Sequence, residues 1–392
     1  PASLATFTAS MLGCDSLQNI YIGDGSTTYK SVDGVLFSAD LKTLVYYLPT
    51  RADESYEIPA GTEQIAAGAF SGNAYLKNVT IPASVKLLNA NAFSNCTKLT
   101  GVNFADGSTE PLVIGKYAFS GCTSLASIAL PSRTSAIEDY AFNGATSLSN
   151  VTFAKANEVS KLTSIGTSAF FKTALTRVTI PESVRTLGDT VYGNCYSLVT
   201  ATLPEGLISA GNRIFSGCSA LDTVNLPASL QTIGTGMFAN CSALKHINFA
   251  AGAQLSTIPS DTFSGCTALE AIQLPASLTA IAGQEEDSSS SRGLFQGLTN
   301  LKTVTFEEGS KCLEIGISAF EGSGITTFTI PSSVTTIRNK AFYGTALTDI
   351  VIPKTVARLD GYVFGNCKQL KSVTIDAELS EILDSTFENC SA

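Results

Sequence analysis

Leu76-Lys-Asn-Val-Thr-Ile-Pro82 runs into Ala83-Ser-Val-Lys-Leu-Leu-Asn-Ala90 and then Asn91-Ala-Phe-Ser-Asn-Cys96, and the reading of this stretch decides the fold. In its first segment Leu76, Val79 and Ile81 are apolar while Lys77, Asn78 and Thr80 are polar, the alternation of a short strand with one buried face. Pro82 cannot donate a ladder hydrogen bond, so it ends that strand. Phe93 is a large apolar anchor, and two residues later stands Asn95, a residue type that tolerates positive φ. The chain is therefore expected to leave a single helical or 3₁₀ turn at that point through a left-handed residue.

The same unit returns along the whole chain of 392 residues. Its anchors are Met11, Phe70, Phe93, Phe119, Phe142, Phe170, Tyr192, Phe215, Phe238, Phe263, Phe295, Phe320, Phe342, Phe364 and Phe387, mostly 22 to 28 residues apart. A fixed period of this size is the signature of a solenoid. Two residues past the anchor the chain carries Gly or Asn every time except at Lys172. A second glycine cluster, including Gly115, Gly166 and Gly316, lies four residues before the anchor, and Ala often precedes it, as at Ala92 and Ala341. Close approach of neighbouring coils is the expected reason for the small residues. The strand segment recurs at 125–131, 175–181, 198–204, 221–227, 269–275, 325–331 and 347–353. One strand per repeat, all in the same sense, gives a parallel sheet of rungs.

The run Ile330-Pro-Ser-Ser-Val-Thr-Thr-Ile-Arg-Asn-Lys-Ala-Phe-Tyr-Gly344 resembles the BspA-like class of leucine-rich repeat, a class found in surface proteins of anaerobic bacteria and some mucosal protists. The resemblance extends over essentially the whole chain. It implies a right-handed coil with the parallel β-sheet on the concave side and short helical or 3₁₀ turns opposite. Near the start, 33–49 resembles a hairpin insert of that class, although the usual Asp-Gly turn here reads Asp40-Leu41. The expectation is one elongated leucine-rich repeat domain over 1–392. Since the chain opens Pro1-Ala2-Ser3 and a new repeat at Phe387 does not finish, it reads as a fragment of a longer protein.

Nine of the ten cysteines (Cys14, Cys96, Cys122, Cys195, Cys218, Cys241, Cys266, Cys367, Cys390) share the slot three residues after the anchor. Other repeats put Asn73, Ala145, Thr173, Leu298, Ser323 or Thr345 there, so the slot asks for a small, semi-polar filler and free thiols suit it. Disulfides are the alternative. A metal site is a weaker one, because no Cys-x-x-Cys spacing occurs. Cys312 lies outside the ladder and has no account from the sequence.

Composition closes several function classes. A net charge of -9 with scattered basic residues lacks the cationic stripe that nucleic acid needs. No apolar run approaches the length of a membrane span. With His246 as the lone histidine, no two-histidine metal site can form, a Ser-His-Asp set would have to rest on this one residue, which reads as an ordinary outward position of a rung, and no Gly-rich phosphate loop follows a strand. No enzyme and no cofactor are expected. The acidic run Glu285-Glu286-Asp287 falls in the long loop near 283–293 and reads as a solvated segment, with a weak calcium site as the other reading.

The outward strand positions remain as the binding surface. Most are Thr or Asn, as at Thr80, Thr179, Thr202, Asn225 and Thr305, which stack well on a pleated sheet. Aromatic platforms are missing from these positions apart from Tyr21, which speaks against a carbohydrate site there. The exceptions that mark individual rungs are Tyr21, Arg177, Asp222, Lys245, His246, Glu270 and Lys302, and these are the candidate binding residues. The family resemblance implies export to the cell surface and adhesion to a protein or glycoprotein of host, matrix or another microbe. The alternatives are a structural spacer and, least favoured, an enzyme built on inserted loops.

Overall fold

The computed structural model describes residues 4–7, 16–154, 158–283 and 292–392. It divides into two compact units, Pro1–Thr176 with Pro181–Cys195, and Arg177–Ile180 with Tyr196–Ala392. Both are parallel β-solenoids, and most coils carry two short strands where the sequence announces one. The repeat at Leu76 supplies Asn78–Ile81 and then Leu87–Leu88. In the first unit the first strands pair in parallel from Ser55–Glu57 through Asn78–Ile81 to Gly101–Phe104, and Ser127–Ala129 pairs with Asn150–Thr152. In the second unit Arg177–Thr179, Thr200–Thr202, Thr223–Leu226 and His246–Phe249 form one such sheet, and Ala271–Leu274 pairs with Thr303–Phe306. The segment expected as a strand at 325–331 forms none.

Opposite the first strands the expected helical turn is absent. Among the described residues there is no α-helix or 3₁₀-helix, and the chain passes the anchor in a run of turns. The reason is a second left-handed residue. Asn91 (φ 60°) and Asn95 (φ 58°) bracket Phe93, and the position two before the anchor is left-handed in most coils even where it holds Tyr117, Thr190, Arg213 or Lys340. This bracketing makes successive N–H groups point in alternate directions. Asn91, Phe93 and Asn95 donate to the carbonyls of Lys116, Ala118 and Ser120 in the next coil at 2.7–2.8 Å, while Ala92, Ser94 and Cys96 donate three residues back within their own coil at 3.0–3.2 Å. The turn wall is thus a hydrogen-bonded ladder as well.

The anchors stack inside that wall. In the first unit the ring centroids from Phe70 through Phe93, Phe119, Phe142 and Phe170 to Tyr192 lie 4.6–5.5 Å apart and within 15° of parallel. In the second, the series from Phe215 to Phe387 repeats at 5.2–6.1 Å. Such pairs add about 0.5–1.5 kcal/mol each beyond the burial of their area.

The cysteine slot has a specific partner. Sγ of Cys96, Cys122, Cys195, Cys241, Cys266, Cys367 and Cys390 lies 3.1–3.2 Å from the carbonyl oxygen of the anchor in the preceding coil. That oxygen already accepts one local N–H, as Phe93 does from Cys96, and the thiol fills its second lone pair. These cysteines are free thiols, as expected; Cys14 lies outside the described residues. Cys312 is also a free, buried thiol, and its carbonyl accepts the Ser333 hydroxyl at 2.7 Å.

The insert at the start is a three-stranded antiparallel meander, Tyr29–Val32, Val35–Ser38 and Thr43–Tyr46. Asp33 and Gly34 make its first tight turn, and Leu41 is left-handed (φ 61°) where the resembling family has Gly. Arg51 ties the meander down. Its guanidinium reaches Asp53, Asn19 and the Asp33 carbonyl and lies over the Tyr47 ring.

The two glycine clusters have different causes. A Cβ on Gly115 would come within 2.3 Å of the Leu88 carbonyl oxygen, so that cluster marks coils in backbone contact. At Gly344 a Cβ meets nothing closer than 3.9 Å, and what a side chain would cost there is the φ of 67°. Gly344→Val should therefore lower stability by about 1–3 kcal/mol. Lys172, the expected exception, is left-handed too at φ 58°. Hence Lys172→Gly should raise the melting temperature, and a neutral result for both substitutions would remove the conformational account.

Burial pushes the thiols of Cys122 and Cys266 up to about 12 and that of Cys312 up to about 11, from an ordinary 9.0. The folded chain keeps a proton that the unfolded chain releases, so this stability is complete below about pH 9 and is lost as pH climbs towards 12. The melting temperature should hold to that point and then fall. At pH 8 a thiol reagent should label few groups before denaturation without reductant and most of them after it; absence of label in the denatured chain would overturn the thiol ladder.

Candidate functional site

Strand alternation sets the outward face of the second unit. Val178, Ala201, Val224 and Ile247 are buried, so their neighbours point out. Register aligns Arg177, Thr200, Thr223 and His246 in one column and Thr179, Thr202, Asn225 and Asn248 in the next. The Asn248 amide donates to Asn225 Oδ1 at 2.8 Å, which bonds the last two rungs of that column. Arg177 and His246 share a column three rungs apart, roughly 14 Å at the usual strand spacing.

Asp222 and Lys245 flank that column as a 3.6 Å ion pair. The Thr223 hydroxyl bond to Asp222, helped by Lys245 and His246, holds its carboxyl below the usual range. Lys302 Nζ donates to the Thr299 carbonyl at 3.0 Å, and the Glu270 carbonyl accepts the Lys302 N–H at 2.8 Å, which places both at the start of their rungs. Tyr21 belongs to the first unit, exposed on the segment beside the meander. The structure thus gathers six of the seven candidates in the second unit. Of these, Lys245 and His246 line a cavity.

That cavity, about 340 Å³, lies over His246–Phe249, Ala271–Leu274 and Thr303–Phe306, with Asn248 and Gln273 among its walls. A second of about 440 Å³ adjoins it, lined by Phe306, Ser310, Thr327, Phe328, Thr329 and Ser332 among others. Thr303, Thr305 and Glu307 line both. Volumes in this range suit ligands. Among the described residues no cluster of three His, Cys, Asp or Glu side chains could hold a metal. The acidic run at 285–287 lies outside the described residues.

The second cavity exists because one rung is missing. Phe328 takes the slot held by Val79, Val224, Ile247 and Val304 in other coils, and its ring packs 5.1 Å from Phe320 and 5.4 Å from Phe342. Side-chain alternation survives, since Phe328 and Ile330 are buried and Thr327 and Thr329 exposed. Yet among the described residues no backbone hydrogen bond joins 327–330 to either neighbouring coil. A ring in this slot does not by itself break the ladder, since Tyr56 holds it in a rung that pairs in register with Val79; the rung at 327–330 is unpaired on both sides.

The pattern of the BspA type Leucine rich repeat region (6 copies) matches residues 47–162, 163–285 and 288–392. The chain belongs to the BspA-type leucine-rich repeat family. Among solved structures this BspA-type chain is similar to a leucine-rich repeat protein from Bacteroides ovatus at 24% identity, covering 88% of this chain and 92% of that one with a TM-score of 0.50. It is also similar to a leucine rich cell surface protein from Faecalibacterium prausnitzii at 22% identity, covering 90% and 95% with a TM-score of 0.38. No curated protein matches the chain. Among the described residues no helix is long and apolar enough to cross a membrane.

Sequence reading did not place Phe306, Glu307 or the hydroxyls of 327–332 among the candidate binding residues, because it assigned a paired strand to 325–331 and read Thr329 as part of a uniform outward background. The one departure the sequence offers there is Phe328 in a slot mostly held by Val or Ile, and Tyr56 in the same slot of a paired rung makes it a weak signal. The amides of 327–330, flanked by buried side chains but without ladder partners, should exchange with solvent much faster than those of 223–226. Equal protection by hydrogen-exchange mass spectrometry would refute the open rung.

Proposed function

We propose that this chain is a non-enzymatic, cell-surface binding scaffold that adheres to a protein or glycoprotein macromolecule of host, matrix or microbial origin. Its recognition face is the outward side of the first strands in the second unit. The observation that carries this reading is the pair of adjoining cavities there, walled by side chains such as His246, Gln273 and Thr305 that the coil itself does not need. A bare spacer has no use for such a recess. Membership of a repeat family built for contact surfaces supports the reading, and its surface location rests on the family resemblance.

Arg177 and His246 mark the column beside the recess and are exposed. In a binding screen against matrix glycoproteins and glycans, the double substitution Arg177→Ala with His246→Ala should weaken capture about tenfold, since a few residues dominate an interface. Its stability should stay within about 0.5 kcal/mol of the parent, as for surface positions generally. A screen with no captured partner would favour the spacer.

A further inference from the structure

We infer that the cavity beside Phe306 is a saccharide site that takes a neutral oligosaccharide, with the Phe306 ring under one sugar face. This rests on the binding-scaffold reading and names its ligand class. Among the described residues the outward columns aligned in the second unit, Arg177 to His246 and Thr179 to Asn248, hold no aromatic platform, and the sequence alone argues against sugar. The structure supplies the ring from another direction. Phe306 occupies the slot of Ile81, the third inward position of a strand, but it is only half-buried and lines the recess. Phe328 stands edge-on to it, ring centroids 6.5 Å apart at 71°.

The rest of the wall decides the class. Glu307 is its single charged residue, so an anionic ligand such as a phosphate, a sulfated chain or a nucleic acid meets a carboxylate and no cation. Six hydroxyls ring it, from Thr303, Thr305, Ser310, Thr327, Thr329 and Ser332, too polar a lining for a lipid. Tyr, Trp and Arg, the usual anchors of protein interfaces, are absent from it. What remains is a ligand with an apolar face for the ring and many hydroxyls for directional bonding. A pyranose has both: its C–H faces suit the negative face of an aromatic ring, and its hydroxyls suit the few placed polar groups of such a pocket.

Glu307 is built into this arrangement. Its N–H donates to the Leu274 carbonyl at 2.9 Å and its Oε2 accepts the Ala276 N–H at 3.2 Å, which fixes the carboxylate at the wall common to both cavities. A carboxylate accepts hydroxyl donors more strongly than a neutral oxygen does. Beyond it, Asn248 and Gln273 extend amide groups into the adjoining recess, so a chain of sugars can continue along the rungs.

The test uses the full chain on an array of neutral glucose, galactose and N-acetylglucosamine oligosaccharides, with glycoproteins before and after enzymatic deglycosylation. Retention on at least one neutral oligosaccharide is expected, weakened about tenfold by Phe306→Ala and several-fold each by Thr305→Val and Gln273→Ala, as for the loss of one hydrogen bond. Phe306→Tyr should keep it. Thr305 and Gln273 are exposed, so their variants test the site even if Phe306→Ala misfolds. Sugar retention indifferent to all of these variants overturns the site. Capture of a glycoprotein that survives deglycosylation and competing free sugar overturns the saccharide assignment and leaves the scaffold reading standing. No capture of either kind sinks both.

Discussion

Each coil must reverse direction around one aromatic ring while keeping its backbone groups bonded, and the protein does so by bracketing the ring with two left-handed residues. The alternation they impose sends every second N–H into the next coil, as at Asn91, Phe93 and Asn95. Rings of successive coils are then held about a stacking distance apart, 5.2 Å between Phe93 and Phe119. The anchor carbonyl is left with an open lone pair, which explains why the slot three residues on favours a small donor. Cys supplies one by its thiol, and Asn73 supplies one by its amide to the carbonyls of Leu48 and Arg51. A glycine rule, an aromatic rule and a cysteine rule in the sequence are three consequences of one turn.

Only half of that turn was legible. After the anchor the left-handed residue is Gly or Asn, the types for which positive φ is least costly, and spacing exposes it. Before the anchor the same conformation falls on Tyr117, Tyr140, Arg213 or Lys340, residues that carry no such signal and for which it costs on the order of 1–2 kcal/mol. The ladder bonds on either side over-determine the backbone there, so side-chain identity is free. In the first unit that freedom is used for contact: Tyr117 and Tyr140 stack at 4.7 Å with the Lys116 ammonium over both rings.

Irregular coils are solved individually, which is why the sequence pattern reads them poorly. Ser84, Ser229, Ser277 and Ser333 each donate to a carbonyl of the coil before, at 2.7–2.8 Å. Where extra residues follow Phe104, Arg133 stands in the serine's place and reaches across the insertion to the carbonyls of Glu110 and Val85, 48 residues back. It is a buried cation with no acidic partner among the described residues, and burial holds its guanidinium below the ordinary value. From sequence it is one more charged residue near a loop.

The same logic ties the candidate site to coil length. In a regular coil the residue after the third inward position is Pro, whose missing N–H ends the pairing. Where Phe takes the third position, Ala105, Ala250 and Glu307 replace that Pro, and each donates to the coil before it, to Ile81, Leu226 and Leu274. The strand is carried one residue further, extra residues must then be looped out, and the sheet ends at that rung, as it does at Gly101–Phe104, His246–Phe249 and Thr303–Phe306. At the last of these the residue in the Pro position is a carboxylate and the next rung, at 327–330, is unpaired. Placing Glu307 beside a half-buried ring therefore follows from two departures from the repeat in adjacent coils, a Phe at the third inward position and an unpaired rung after it.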